Sequence, residues 1–217
     1  MRAALESLLR DRKLDITLTS SAPCPVPSDR LAATGNADLD GALDGGLRRG
    51  HLSEITGPAS SGRTTLLMTS LAAATARGEV AAIVDVCDTF DPASAGAHGV
   101  DLARVLWIRD TGDPLRALKA FSLVLQAGNF GLVVFDLADV APSVVRRFPF
   151  TTWLRVARSI EGSDTVALLA AQERTARSPL GVTISLDATP ARWMGGGASR
   201  ARLFAGVHLT PRVVRAR

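Results

Sequence analysis

The chain has 217 residues, 47% of them hydrophobic, which is enough to fill the core of one domain. It has no apolar run of about 18 residues and no secretory signal peptide, which predicts a cytoplasmic protein without a membrane span. The two cysteines lack the spacing of a metal site or a disulfide framework and are typical of a reducing compartment. The net charge of +4 is uneven, because residues 141–217 hold twelve arginines against four acidic residues. Either this basic third meets a polyanion or an acidic partner, or arginine is simply the solubilising cation of this chain.

The first 28 residues are predicted to form an arm outside the core. Apolar residues three and four positions apart predict a short helix over 3–12, and strict alternation predicts a short strand over 14–18. Three prolines within 20–28 predict an extended linker, because proline disfavours helix at its own and at the preceding position. The predicted division is an arm with a Pro-rich linker at 1–28 and one core domain at 29–217.

Strands and helices alternate through the rest of the chain. The predicted strands cover residues 52–55, 80–86, 105–108, 132–135 and 165–170, and the predicted helices cover residues 64–76, 113–126 and 150–160. Asp113 followed by Pro114 is a good start for a helix, because the first caps it and the second fits its first turn. This alternation predicts an α/β fold with a mostly parallel, twisted sheet flanked by helices. Residues 182–186 and 202–214 are predicted to form added strands or a hairpin.

A phosphate-binding loop is recognisable between the first predicted strand and helix of the core. Gly57, Gly62 and Thr64 occupy their expected places in the pattern G-x-x-x-x-G-K-[ST], and Thr65 follows them. Arg63 stands where the pattern has lysine, and its planar guanidinium is larger and directs its donors differently. Two interpretations stay open: residual nucleotide binding by these residues, or a strand-to-helix turn kept from a nucleotide-binding ancestor.

Asp136 ends a second apolar strand of the core. Nucleotide-binding folds place a carboxylate here that orients Mg²⁺, so Asp136 joins the candidate nucleotide site. The alternative is an ordinary aspartate that caps the next turn.

A longer series of short motifs surrounds the phosphate loop. The series includes Thr34-Gly35, Leu39-Asp40, Gly45-Gly46-Leu47, Glu54-Ile55, Gly57 to Leu66, Ile83-Val84-Asp85, Gly99-Val100-Asp101 and Val133 to Asp136. It closely resembles the core of the RecA recombinases, strongly in the first half and weakly up to about residue 215, and implies a RecA-like core. Residues 3–18 resemble the RecA helix-strand arm that docks on a neighbouring subunit. The resemblance therefore makes Leu14, Ile16 and Leu18 candidate partner-binding residues.

The departures from RecA fall on its nucleotide chemistry. The phosphate-loop lysine matches Arg63, the catalytic glutamate matches Cys87, and the tyrosine that stacks on adenine falls near Ser94. A thiol cannot replace a carboxylate as the base that activates water. The comparison implies a degenerate ATPase with no catalytic residues and no required cofactor, although ATP with Mg²⁺ could still bind.

A short RecA-like chain with these changes is similar to the ImuA family of bacterial damage-inducible mutagenesis. That resemblance implies a non-catalytic accessory protein of translesion synthesis that contacts RecA, translesion polymerase subunits, or both, with self-association also open. One alternative is a cell-division inhibitor similar to SulA. Another is a RecA-like DNA-binding protein with residual ATP binding.

Five arginines lie near the region that matches the second DNA-binding loop of RecA. They are the candidate contacts to single-stranded DNA: Arg174, Arg177, Arg192, Arg200 and Arg202. Phosphate contacts of this kind weaken steeply with salt. A solvated face is the competing interpretation. Trp193 is expected to pack beneath this loop, with stacking on a base as its alternative.

Overall fold

A computed structural model of the chain describes residues 27–110, 112–176, 181–187, 191–196, 199–207 and 209–215. Its strands are β1 Leu31–Ala32, β2 Leu47–Arg48, β3 Leu52–Thr56, β4 Ala81–Asp85, β5 Val105–Arg109, β6 Leu132–Asp136, β7 Val166–Ala171, β8 Val182–Ser185, β9 Ala191–Met194, β10 Leu203–Val207 and β11 Arg212–Arg215. Its α-helices are α1 Ala37–Ala42, α2 Arg63–Ala76, α3 Pro92–Ala97, α4 Pro114–Ala127, α5 Pro142–Val145 and α6 Phe150–Ile160.

The central sheet has seven strands in the order β11-β8-β3-β7-β6-β4-β5. All neighbours are parallel except β11 and β8, which pair antiparallel at one edge. The predicted α/β fold with a mostly parallel sheet is confirmed. The parallel arrangement gathers the ends of β3, β4, β6 and β7 at one carboxyl edge, where folds of this kind bind ligands.

The core has two layers, one on each face of the sheet. α2 and α3 cover one face, where Leu66, Leu71 and Ile83 are buried together. α4 and α6 cover the other, where Phe121 stacks on Phe135 with ring centroids 4.9 Å apart. β3, β4 and β7 are buried along their whole length, and β7 is apolar at each of its positions, as expected of a strand covered on both faces.

Local sequence signals place most of these elements correctly. α6 has the predicted bounds, and α4 begins after Asp113, whose carboxylate accepts hydrogen bonds from the Leu115 and Arg116 N–H groups. The region 202–214 divides between two sheets, because β11 pairs with β8 while β10 pairs with β9 in a separate antiparallel ribbon.

The predicted arm lies outside the described residues, together with Leu14, Ile16 and Leu18. The division at residue 28 therefore stays a prediction. Where the structure begins, Arg30 forms an ion pair with Asp164 at 2.8 Å. Among the described residues, none of the helices combines the length and apolar character that a membrane span requires.

Candidate functional site

The phosphate loop joins β3 to α2 at the carboxyl edge of the sheet. A β-carbon on Gly57 would lie 2.5 Å from the Leu186 carbonyl oxygen and 2.6 Å from Ser61 Oγ, so only glycine fits there. Gly62 precedes α2 with a φ of 91°, which also favours glycine. The loop thus keeps the backbone shape of a phosphate cradle, and Thr64 and Thr65 are exposed in the first turn of α2.

Ser61 gives this cradle an unusual polar atom. Its hydroxyl is buried, and among the described residues it has no hydrogen-bond partner. A buried hydroxyl without a partner costs free energy, on the order of 1–3 kcal/mol. The loop therefore holds a donor that an anionic oxygen could satisfy.

Arg63 points its positive charge into the protein. The side chain is buried, and its Nη1 donates a hydrogen bond of 3.0 Å to the Ala138 carbonyl oxygen in the connection after β6. Gln172 Nε2 donates to the same oxygen at 3.2 Å. The guanidinium thus links two loops of the carboxyl edge, whereas a nucleotide-binding lysine extends a compact charge towards the phosphates.

The end of the loop is covered by an apolar side chain from the C-terminal region. Leu209 packs against the core cluster that includes α2. A β-carbon on Gly62 would lie only 2.0 Å from Leu209 Cδ2, so Leu209 rests directly on this glycine. The cradle alone fits a phosphate, but the cation expected beside it is bonded elsewhere and Leu209 packs against its last glycine.

The two aspartates that end β4 and β6 have different surroundings. Asp85 is completely buried and accepts hydrogen bonds from the Thr89 and Phe90 N–H groups and from the Trp107 indole, so it holds the following turn. Asp136 accepts one bond from the Ala138 N–H at 2.9 Å. Burial raises the pKa of Asp136 to about 6; the Ala138 hydrogen bond opposes this rise, Asp85 and Asp139 add to it, and Arg63 opposes it.

Cys87, at the position of the RecA catalytic glutamate, is exposed and lies two residues beyond the end of β4. Partial burial raises the pKa of the Cys87 thiol, and the charges of Asp139, Asp136 and Asp85 raise it further. A raised pKa keeps more of the thiol protonated, and a protonated thiol is a weak base and a weak nucleophile. Asp88 beside it is bonded through both oxygens to Arg109, at 2.7 and 2.6 Å.

The candidate DNA-binding arginines separate into two groups. Arg192, Arg200 and Arg202 are exposed on the ribbon of β9 and β10 and on the turn between these strands. Arg174 lies elsewhere, with its Nε 3.6 Å from Glu54 Oε1. Arg177 lies outside the described residues.

The carboxylate of Glu54 accounts for the position of Arg174 away from the other candidate arginines. This buried carboxylate accepts hydrogen bonds from the Thr175 and Ala176 N–H groups and from the Thr183 hydroxyl, at 2.7 to 2.9 Å. Arg174 is the cation beside it, so part of its charge serves the fold.

The packing expected for Trp193 is wrong. Its side chain is 56% exposed on β9, and its ribbon neighbours Met194 and Leu203 are exposed as well. Within the described residues, β9 and β10 form a two-stranded sheet that is separate from the central sheet.

A pocket of about 440 Å³ opens beside the phosphate loop, and the sequence did not predict it. It lies between α5, the start of α6 and the segment after β7. Its walls are Val140, Pro142, Val145, Arg146, Phe148, Phe150, Trp153, Ala171, Gln172, Glu173, Arg174 and Thr175. The dense aromatic residues after Asp136 were the available signal, since Phe148, Phe150 and Trp153 fall within six positions.

Metal-binding chemistry has little support in this region. Over the described ranges, no group of three or more His, Cys, Asp or Glu side chains has the geometry of a metal site. The carboxylates of Asp85, Asp136 and Asp139 act on Cys87 through their negative charge.

Known proteins match the chain over the same elements. A family model described as the RecA N-terminal domain matches residues 24–146, more than half of the chain. The chain is 32% identical to Protein RecA of Rhizobium leguminosarum bv. viciae over 193 residues, which are 82% of this chain and 52% of the relative. It is 42% identical to Protein RecA of Clavibacter michiganensis subsp. michiganensis over 105 residues, 48% of this chain and 28% of the relative. It is 41% identical to Protein RecA of Leifsonia xyli subsp. xyli over 121 residues, 55% of this chain and 32% of the relative.

The chain thus spans about half the length of these curated relatives, or less. The family match contains the loop between β3 and α2, β4 and β6, the elements around the predicted nucleotide site. The family match and the similarity over most of the chain show that this chain belongs to the RecA family.

Proposed function

We propose that this chain is a non-catalytic RecA-family accessory protein of damage-inducible translesion DNA synthesis. It acts through contacts with RecA, with translesion polymerase subunits, or with both. The observation that carries the proposal is the bond from Arg63 to the Ala138 carbonyl, because it assigns the charge of the phosphate loop to a structural role.

The surroundings of the loop argue against ATP hydrolysis. Hydrolysis needs a group that positions or deprotonates water and charges that stabilise the transferred phosphoryl group. The Cys87 thiol has a raised pKa. Asp136 lies near Asp85 and Asp139, and the pKa of Asp136 itself is raised to about 6. The protein requires no cofactor; should ATP with Mg²⁺ bind, Gly57, Gly62, Thr64, Thr65 and Asp136 are the residues that would hold it.

The edge of the sheet offers a surface for protein contacts. β5 is the last strand, and in the described part of the chain its outer edge has no strand beside it. Leu106 on β5 is 43% exposed. An exposed edge strand of this kind is a template for adding a strand from another chain, and the strand predicted over 14–18 would be a complementary element.

A pull-down with the tagged full chain tests the proposal. Purified RecA and translesion polymerase subunits are offered separately, with and without ATP. We expect at least one to be retained equally under both conditions, and retention to fall with Leu106→Glu or after removal of residues 1–28. Leu123→Glu is the matched control, because Leu123 is an exposed apolar side chain on the helix α4 and not on the edge strand. Failure to retain any of these proteins would contradict the proposal, as would ATP hydrolysis that Thr64→Ala abolishes.

Single-stranded DNA binding is a second candidate, supported by the ribbon of β9 and β10. Trp193 is exposed between the strand neighbours Arg192 and Met194, an arrangement in which a base can stack while arginines meet phosphates. We expect binding of oligo(dT) that weakens steeply with salt and is lost in Arg200→Ala/Arg202→Ala. Lys119→Ala removes a positive charge from α4 and serves as the control. Binding that ignores salt and these arginines would exclude the ribbon.

A further inference from the structure

The pocket beside Phe150 has an apolar interior made by residues from separate loops. Val145, Phe148 and Trp153 form buried walls, and the Phe148 and Trp153 rings meet edge to face with centroids 5.7 Å apart. Phe150 stands at the opening with half of its side chain exposed. A volume of about 440 Å³ lies within the range of pockets that enclose small ligands, so it can accept a large apolar side chain.

The polar groups around this interior already have partners. Gln172 donates to the Ala138 carbonyl, and Arg174 lies beside the buried Glu54. Arg146 and Glu173 bind each other across the opening through Nη2 and Oε2 at 2.6 Å. A nucleobase would leave its polar edge unsatisfied here, at a cost on the order of 1–3 kcal/mol per group. An aliphatic or aromatic side chain has no such cost.

The segment that supplies most of the pocket walls is strongly basic. Residues 140–160 include four arginines and no acidic residue. Arg147 follows the wall residue Arg146, while Arg155 and Arg158 are exposed on α6, which begins at Phe150. Among the described residues these three arginines form no ion pair. Their charge complements Asp and Glu side chains that flank an apolar anchor.

We propose that this pocket docks an acidic protein segment, which inserts one large apolar side chain beside Phe150 and places its carboxylates near Arg147, Arg155 and Arg158. This inference rests on the proposed function, since it assumes that the chain works through protein contacts, and it names the chemistry of one contact. Single-stranded DNA is the competing ligand that the test distinguishes.

A peptide selection on the full chain tests this docking. A phage-displayed library of random peptides is selected on the wild-type protein, and the enriched peptides are titrated by fluorescence anisotropy. We expect enriched sequences to combine Asp and Glu with Leu, Phe or Trp. Phe150→Ala weakens their binding about tenfold, as loss of an anchoring aromatic contact does. Leu123→Ala removes an exposed apolar side chain from α4 and leaves the affinity unchanged.

Charge reversal provides the second arm of the experiment. Arg147→Glu/Arg155→Glu weakens the same peptides about tenfold at low salt, and the difference shrinks as salt screens the charges. Lys119→Glu, on α4, has little effect. Circular dichroism of each variant establishes that it is folded.

Several outcomes would overturn the docking proposal. These are enriched peptides without an acidic excess, equal binding by Phe150→Ala, and displacement of the peptides by oligo(dT), which would indicate a nucleic-acid pocket. The pull-down of RecA and polymerase subunits decides the proposed function independently. Retention of those proteins that Phe150→Ala leaves intact would refute the pocket alone, while peptide binding without any such retention would refute the translesion role alone.

Discussion

The phosphate loop and the pocket beside Phe150 share the carboxyl edge of one sheet, but they differ in which of their side chains solvent can reach. In the loop, Arg63 is bonded to Ala138 and Leu209 lies on Gly62. In the pocket, apolar walls open to solvent beside exposed arginines such as Arg147. Arg63 and Leu209 therefore contribute packing at the loop, whereas the pocket leaves aromatic and basic side chains exposed to solvent.

The largest expected effect distinguishes two side chains of the pocket, the buried Trp153 and the half-exposed Phe150. Trp153→Ala removes a buried ring that packs against Phe135 and Phe148, and we expect it to lower the free energy of unfolding by about 3–5 kcal/mol. Phe150→Ala, at the half-exposed opening, should cost about 1 kcal/mol or less. Urea unfolding measures both. Equal losses would mean that the opening belongs to the core and that the pocket is not a separate surface.

The next effect is the pH dependence of stability that the Asp136 carboxyl group causes. Its pKa is raised to about 6, so between about pH 4 and 6 the folded protein binds more protons than the unfolded chain. Stability therefore falls as pH rises through this window. Asp136→Asn should remove the fall and stabilise the protein at pH 7 by about 2–3 kcal/mol. Thermal unfolding at several pH values measures this, and a profile that the substitution leaves unchanged would contradict it.

Glu79 at the opposite end of the sheet supplies the control. Burial would raise its pKa, but hydrogen bonds and charges from Arg77 and Arg49 outweigh burial and lower the pKa. A lowered pKa contributes stability that is present above the pKa of the unfolded chain and is lost as pH falls through the folded value. Glu79→Gln should therefore lower stability at pH 7, and this loss should shrink as pH falls below about 4.5.

A smaller effect tests whether Leu209 covers the loop. Gly62→Ala places a side chain at a φ of 91° and against Leu209 Cδ2, and we expect a loss of about 1–3 kcal/mol. In the double variant with Leu209→Ala, the steric part disappears and the backbone part stays. A double-mutant cycle by urea unfolding measures the coupling. Strict additivity would show that Leu209 does not rest on Gly62.

The smallest effect is expected where an ATPase would respond most. Arg63→Lys restores the lysine of the phosphate-loop pattern but loses the hydrogen bond to Ala138, so stability should fall by about 1 kcal/mol. We expect no ATP turnover above buffer background, because Cys87 still lacks a carboxylate. A phosphate-release assay measures turnover, with Arg63→Lys/Cys87→Glu as the companion variant. Turnover by Arg63→Lys alone would mean that the loop retains its catalytic surroundings.

The sequence predicted the parts of the fold that local physics determines. Apolar runs identified β4 and β6, and the Asp113-Pro114 pair identified the start of α4. Glycine spacing likewise located the turn between β3 and α2. These signals lie within a few residues of the element they specify, so one sequence is enough to read them.

The candidate site depended on contacts that a single sequence does not encode visibly. Arg63 meets a backbone carbonyl 75 positions away, and a carbonyl belongs to every residue. Glu54 binds the N–H groups of Thr175 and Ala176 for the same reason, so its burial has no sequence signature. The exposure of Trp193 was missed because its ribbon leaves the central sheet, a result of tertiary pairing that local pattern does not determine.

The Ala138 carbonyl has a consequence for how this chain tolerates change. Its two lone pairs receive Arg63 from the phosphate loop and Gln172 from the segment after β7. If either donor is lost, the other still donates a hydrogen bond to the oxygen. Losing both would leave a buried acceptor without a partner. Loss of the Arg63 hydrogen bond is therefore partly compensated by Gln172, so a substitution at position 63 should lower stability without abolishing the fold.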